Sequence, residues 1–161
     1  MAKLRTTRND LGDNAKKIST EVLNATLADI MDLNNAVHMA HWTVKGPSFN
    51  SLHLLFESFY NQLATQLDDV AERCVQLGGK PNGTTQLVGE KTRLAPYPAD
   101  ITLGLDHVAA LTDRYAALAK SVREGIDATD EAGDADTADL LTGISRSLDK
   151  ALWMLESHLE K

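Results

Sequence analysis

Apolar positions along this chain recur at spacings of three and four, and nowhere do they alternate with period two over the length of a strand. The first periodic stretch sets Leu23, Leu27, Ile30, Val37 and Val44 on one stripe. Ser19 or Thr20, in "IST", offers a side-chain cap, so a helix is predicted from there to about Lys45, where Gly46-Pro47 breaks it. A second helix runs from Phe49 to Leu77 with no internal Gly or Pro, and Gly78-Gly79 with Pro81 stops it. Residues 78–100 carry the chain's densest Gly and Pro and read as a long connection with one short helix over Thr84–Val88. A third long helix is predicted over Ile101–Ile126, with Leu105, Val108, Tyr115, Val122 and Ile126 inward. The acidic link "DATDEAGDAD" leads to a fourth, Thr137–Leu159, whose stripe is Leu141, Ile144, Leu148, Leu152, Leu155 and Leu159.

Four long amphipathic helices with one long crossover in the middle predict an all-α, ferritin-like four-helix bundle over residues 18–161. Residues 1–17 read as a short, flexible basic tail. At 161 residues, 43% hydrophobic and 24% charged, the chain has the length and composition of one globular domain. No apolar run approaches the roughly 18 residues of a membrane helix, so no membrane association is expected. The charged start "MAKLRTTRND" has no apolar segment behind it, which argues against a secretory signal. Cys74 is the single cysteine and suits a reducing, cytoplasmic setting. A net charge of −7 argues against nucleic-acid binding by the body, yet residues 1–17 are net +3.

The second helix has two faces. Leu52, Phe56, Phe59, Leu63, Leu67, Val70 and Cys74 form its apolar stripe. His53, Glu57, Asp68 and Glu72 lie on another, roughly 130° round at 100° per residue. The bland reading is a solvated face with ordinary i,i+4 polar pairs. The hairpin weighs against it. His41 lies five residues before Gly46 and His53 six after Pro47, so antiparallel helices put both imidazoles at one depth below the turn. Glu57 follows His53 by one turn. Imidazole with carboxylate suits iron, and also zinc as a competitor. Asp68 is about 16 Å along the axis from Glu57, beyond any side chain's reach. The two groups can meet only across a two-fold axis, with two copies of this helix antiparallel and crossing near Gln62 and Leu63. No Glu is followed by His three residues later, so the Glu-x-x-His pairs of ordinary di-iron bundles are missing.

The stretch "AHWTVKGPSFNSLHLLFESFYNQLATQLDDVAERCVQLGG" resembles the signature of the Dps family, the mini-ferritins of bacteria and archaea. The likeness continues through "GTTQ", "YPADI", "RYAALAKSVREGI" and "DTADLLTGISRSLDKALWMLESHLE", covering nearly the whole chain. It implies a hollow dodecamer whose subunits carry a short helix in the long connection. It further implies two-fold inter-subunit sites holding two irons each. His41, His53 and Glu57 would come from one subunit and Asp68 and Glu72 from its partner. Fe(II) would be oxidised to Fe(III), preferentially with hydrogen peroxide, and stored as mineral in the shell, protecting DNA from oxidative damage. Glu57 departs from the usual Asp and puts occupancy of the second iron position in question. His38 is a candidate auxiliary ligand, and Trp42 a candidate radical trap.

Asp127, Asp130, Glu131, Asp134, Asp136 and Asp139 crowd the link before the fourth helix. One role is capping, with Asp136 as N-cap. The resemblance adds an entrance pore for iron at a three-fold axis, with Asp134 and Asp139 lining it. Lys3, Arg5, Arg8, Lys16 and Lys17 are candidate contacts to DNA. Twelve such tails acting together would bind without sequence preference, place the protein at the nucleoid and lose affinity steeply with salt. Three readings thus stand side by side: a ferroxidase and iron store, a DNA-compacting protein, and an iron-independent helical scaffold.

Overall fold

The computed structural model describes residues 4–160, so Lys3 lies outside the described residues. Five helices form: α1 Asp13–Thr43, α2 Phe49–Gln76, α3 Thr85–Lys91, α4 Gly104–Glu131 and α5 Ala135–Glu156. Among the described residues there is no strand, only an isolated parallel bridge between Lys45 and Leu103. No helix among them is long and apolar enough to cross a membrane. α1 packs chiefly on α2 and α4 chiefly on α5, and α4 also packs along α1. Leu23, Leu27, Ile30, Phe56, Leu118, Leu141 and Leu155 fill the centre and are essentially inaccessible. Each such side chain contributes about 1.5–3 kcal/mol by leaving water. This is the four-helix bundle with a short crossover helix that the periodicity predicts.

Local chemistry explains where the boundaries differ from expectation. α1 begins at Asp13, not after Ser19 or Thr20, which are both buried inside it. Gly12 is its N-cap without a side-chain hydrogen bond, and Asp13 supplies the acidic first turn. α4 begins at Gly104, because the residues before it pair with the hairpin turn: the Lys45 amide donates to Thr102 O (2.8 Å) and the Gly104 amide to Lys45 O (3.1 Å). This start leaves Leu105 57% exposed and turns His107 into the core in its place. α4 then continues past Ile126 to Glu131, so Asp127, Asp130 and Glu131 are helical rather than in a loop. Gly125 does not break it. A Cβ there would meet Val22 of α1 at 2.9 Å, so its bareness lets the helices approach.

Two of the turns that glycine makes possible bear on the site and its surroundings. Gly46 (φ 110°) makes the α1–α2 hairpin and Gly133 (φ 85°) ends α4. Asp134 rather than Asp136 then caps α5, accepting from the Thr137 amide at 3.1 Å. At the other end of α5 the helix stops at Glu156, and Leu159 is 40% exposed rather than core.

The described part of the tail lies along the body. The Arg5 amide donates to Gly78 O at 2.8 Å and its guanidinium to Val75 O at 3.3 Å. Lys16 Nζ donates to Asn9 O at 2.6 Å, and Lys16 is buried within the first turn of α1. The boundary at residue 17 is therefore a correction: residues 13–17 belong to the bundle, and Lys16 is held inside the chain instead of facing a partner.

Candidate metal centre

The hairpin brings His41 and His53 together as their depths below the turn require. The rings stack at 3.8 Å between centroids, 19° apart. Each is tied to the other's backbone: His41 Nδ1 to His53 O at 2.9 Å, and His53 Nδ1 to His41 O at 2.9 Å. A carbonyl oxygen only accepts, so both Nδ1 atoms carry the proton. Nε2 is then the ring nitrogen of each that the backbone does not hold, the one placed to bind a metal. The reciprocal bond also has a structural cause. The Lys45 amide, which would continue the helix onto His41 O, is bonded to Thr102 O, and His53 takes its place.

Glu57 is half-buried one turn beyond His53, while Asp68 and Glu72 are exposed about three and four turns further along α2. No ion pair engages these three acids among the described residues. Also among the described residues, no three His, Cys, Asp or Glu side chains of one chain come together as a metal cage. The single subunit thus holds two separated parts on one helix face.

Aromatic rings continue the site along α1. His38 stacks on Trp42 (5.0 Å, 15°) and lies against Tyr60 (3.8 Å, 31°), and Tyr60 meets His41 edge-on (5.4 Å, 75°). Burial, and then the neighbouring His41, push the His38 imidazole below its usual value, which keeps it neutral at pH 7. Trp42 is 70% exposed. Tyr60 went unnoticed in the sequence, although its position seven after His53 and three after Glu57 keeps it on their side of the helix.

Behind the hairpin, His107 is fully buried and bridges three elements. Tyr97 Oη lies 2.6 Å from its Nδ1, and Thr43 Oγ1 lies 3.2 Å from its Nε2. Thr43 Oγ1 itself donates to Met39 O at 2.7 Å, so it accepts from Nε2–H, and Tyr97 donates to Nδ1. Burial lowers the His107 pKa against a smaller opposing pull from Asp106, so the ring is neutral and pins the last turn of α1.

Asp134 does not face solvent in this chain. It is wholly buried, with Arg73 Nη2 at 2.7 Å and Thr137 Oγ1 at 2.6 Å. Burial would raise its carboxyl, but the Ser19 and Thr137 hydroxyls, the Thr137 amide and Arg73 outweigh it and hold it below the usual carboxylate value. Its expected place in a pore is corrected on that ground: within the chain both carboxylate oxygens are buried and engaged by Arg73 and Thr137, so Asp134 does not line a solvent-facing surface. Asp139, by contrast, is exposed on α5.

A family model for the ferritin-like domain matches residues 20–161. The DNA protection during starvation protein of Agrobacterium fabrum is 46% identical over 159 residues, spanning 99% of this chain and 98% of that protein. Among solved structures, DpsC from Streptomyces coelicolor superposes with a TM-score of 0.95 at 26% identity, covering 99% of this chain and 93% of that one. A Dps protein from Vibrio cholerae O1, described as a member of a broad superfamily of ferritin-like diiron-carboxylate proteins, shares the fold (TM-score 0.91, 24% identity, 99% and 100% covered). The chain belongs to the ferritin-like proteins and, among them, to the DNA-protection-during-starvation (Dps) family.

Proposed function

We propose that this chain is a ferroxidase and iron-storage subunit working in a dodecameric shell, with its di-iron sites at two-fold interfaces. The observation that carries the reading is the locked pair of His41 and His53, both with Nε2 free, on the helix that also carries three unpaired acids. A two-fold partner with its α2 antiparallel would bring its Asp68 and Glu72 to His41, His53 and Glu57. Carboxylates favour Fe(III) over Fe(II), so the acids pull the reaction forward while the imidazoles complete the ligand set. Two Fe(II) ions and two protons reduce one hydrogen peroxide to two waters, leaving two Fe(III) and no hydroxyl radical. Zinc suits the same donors and would compete. Asp139 draws Fe(II) toward the shell's interior. The name and superfamily of the relatives, DNA protection and diiron-carboxylate, support this assignment and a cytoplasmic role.

Anaerobic Fe(II) at about two irons per subunit, then hydrogen peroxide, tests it. Rapid oxidation with iron held in solution on the protein, lost in His53→Ala, is the expected result. Equal rates in both proteins would reject the site.

Binding to DNA through basic residues is the second reading, favoured by Arg8 and Lys17, which stay exposed while Lys16 does not. Arg8→Ala with Lys17→Ala should then abolish a gel shift without touching iron oxidation, and binding should collapse between about 50 and 200 mM salt.

A further inference from the structure

Asn82 is the one asparagine of this chain that glycine follows, in "PNGT" ahead of α3. Asparagine is a thermolabile residue, and its route of loss is intramolecular: the backbone nitrogen of the next residue attacks the side-chain carbonyl carbon. Three things oppose the attack. Helical dihedrals hold that nitrogen away, hydrogen bonds tether the side chain, and a Cβ on the next residue crowds the ring that must form. None of the three operates at residues 82 and 83.

Asn14, Asn24, Asn34, Asn35, Asn50 and Asn61 lie in α1 or α2, and the Asn9 side chain accepts from the Leu11 amide at 3.0 Å. Asn82 stands in the irregular stretch between α2 and α3. Asn24 grips the chain just ahead of it. Asn24 Nδ2 donates to Lys80 O at 3.2 Å, and Asn24 Oδ1 accepts the Asn82 amide at 2.8 Å. Beyond that grip the hydrogen bonding stops: among the described residues neither the Asn82 side chain nor the Gly83 amide has a partner. Gly83 is exposed, and the nearest atom to a Cβ added there is Met31 Sδ at 3.7 Å, so the space for ring closure is open. Asn82 also borders a hollow of about 360 Å³ lined by Lys17, Lys80 and Lys91 together with Glu21.

We propose that Asn82 is a site of spontaneous deamidation in the folded protein, giving the subunit a slow, irreversible change of charge. The Gly83 nitrogen bonds to Asn82 Cγ, and its proton leaves with Nδ2 as ammonia, closing a succinimide. Water then opens the ring. Cleavage at Cγ gives aspartate and cleavage at the main-chain carbonyl gives isoaspartate, so either product carries a carboxylate where an amide stood. Amide and water in, acid and ammonia out, is the whole balance, and no oxidant or metal enters it. The new charge arises beside Lys17, one of the basic residues of the DNA reading, but the modification rests on neither functional reading.

The experiment incubates the assembled full-length protein at mildly alkaline pH and follows each asparagine by peptide mass spectrometry. Wild type unfolded in guanidinium and folded Gly83→Ala are run beside it. The mass gain of an amide exchanged for an acid is expected at Asn82 before any other asparagine, at a rate within an order of magnitude of that in the unfolded chain. Gly83→Ala, whose Cβ meets only an ordinary contact, should slow the gain severalfold. A native rate further below that of the unfolded chain, an earlier gain at another asparagine, or an unchanged rate in Gly83→Ala overturns the proposal. The native-against-unfolded comparison uses wild type alone, so it stands whether or not the variant folds.

Discussion

Two groups of acids in this chain contrast sharply. Asp134 and Asp29 are wholly buried, and each is closed by an arginine: Arg73 at 2.7 Å on Asp134, Arg93 at 2.7 Å on Asp29. Asp29 also accepts the Arg93 amide at 2.7 Å, and Asp32 beside it takes Arg114 at 2.9 Å and Thr92 at 2.7 Å. These groups fasten the 92–95 segment and the start of α5 to the bundle. Glu57, Asp68 and Glu72 have no such partner among the described residues and stand on the open face of α2. A buried carboxylate with both oxygens engaged is architecture. An unpaired one on a helix face beside two imidazoles whose Nε2 atoms are free of hydrogen bonds is available for a cation. Exposed pairs such as Arg123–Asp149 belong to neither group and contribute little.

The contrast predicts a double dissociation. Removing a buried acid should damage the fold and spare the chemistry. Asp134→Ala removes the buried partner of Arg73 and the α5 cap, leaving Arg73 only the longer contact to Asp136 at 3.8 Å, so stability at pH 7 should fall by about 3 kcal/mol in chemical denaturation, with iron oxidation per folded subunit unchanged. The sign of its pH dependence follows from the depressed carboxyl. The stabilisation is full above the ordinary value of 3.8 and is lost as the pH falls through the lower folded value, so wild type and variant should converge there.

Removing an open-face acid should do the reverse. Asp68→Ala is expected to slow peroxide-driven iron oxidation by at least ~100-fold, about 2.7 kcal/mol, in stopped flow. Its stability should change by less than about 0.5 kcal/mol. A Asp68→Ala variant that unfolds, or a Asp134→Ala variant that keeps its stability, would break the distinction.

His107 gives a smaller, pH-dependent effect. Folding drives its proton off, so the unfolded chain binds more protons and stability drops as the pH falls through 6.5 toward the lower folded value. The slope from one such group is at most about 1.4 kcal/mol per pH unit. His107→Gln should flatten the stability profile between pH 7 and 5, measured by urea titration at each pH. The smallest change is expected from Glu57→Asp, which shortens an open-face acid without removing it. Affinity for the second iron should tighten by less than about tenfold, under 1.4 kcal/mol, by anaerobic titration.

Much of the site was legible because helices impose fixed spacings. The distances of His41 and His53 from Gly46-Pro47 set them at one depth, and the rings are found stacked there. The eleven-residue gap between Glu57 and Asp68 separates the two parts of the proposed ligand set in any helix, whatever surrounds it. Capping was less legible. The sequence points to Asp136, and Asp134 takes the cap because Gly133 makes a left-handed turn just before it and Arg73, 61 residues away, closes its carboxylate.

What the sequence by itself determined is whatever repeats locally: the helices, the apolar stripes, the hairpin and the spacing of histidines and acids on α2. Only the tertiary structure decided what depends on partners far along the chain. It placed Lys16 and Asp134 inside, exchanged Leu105 for His107 in the core, set Tyr60 against His41, and fixed the imidazole tautomers through carbonyls on the opposite helix. The reason is physical. Periodicity is a property of a single helix, whereas the state of a polar group depends on which donors and acceptors the packing brings to it.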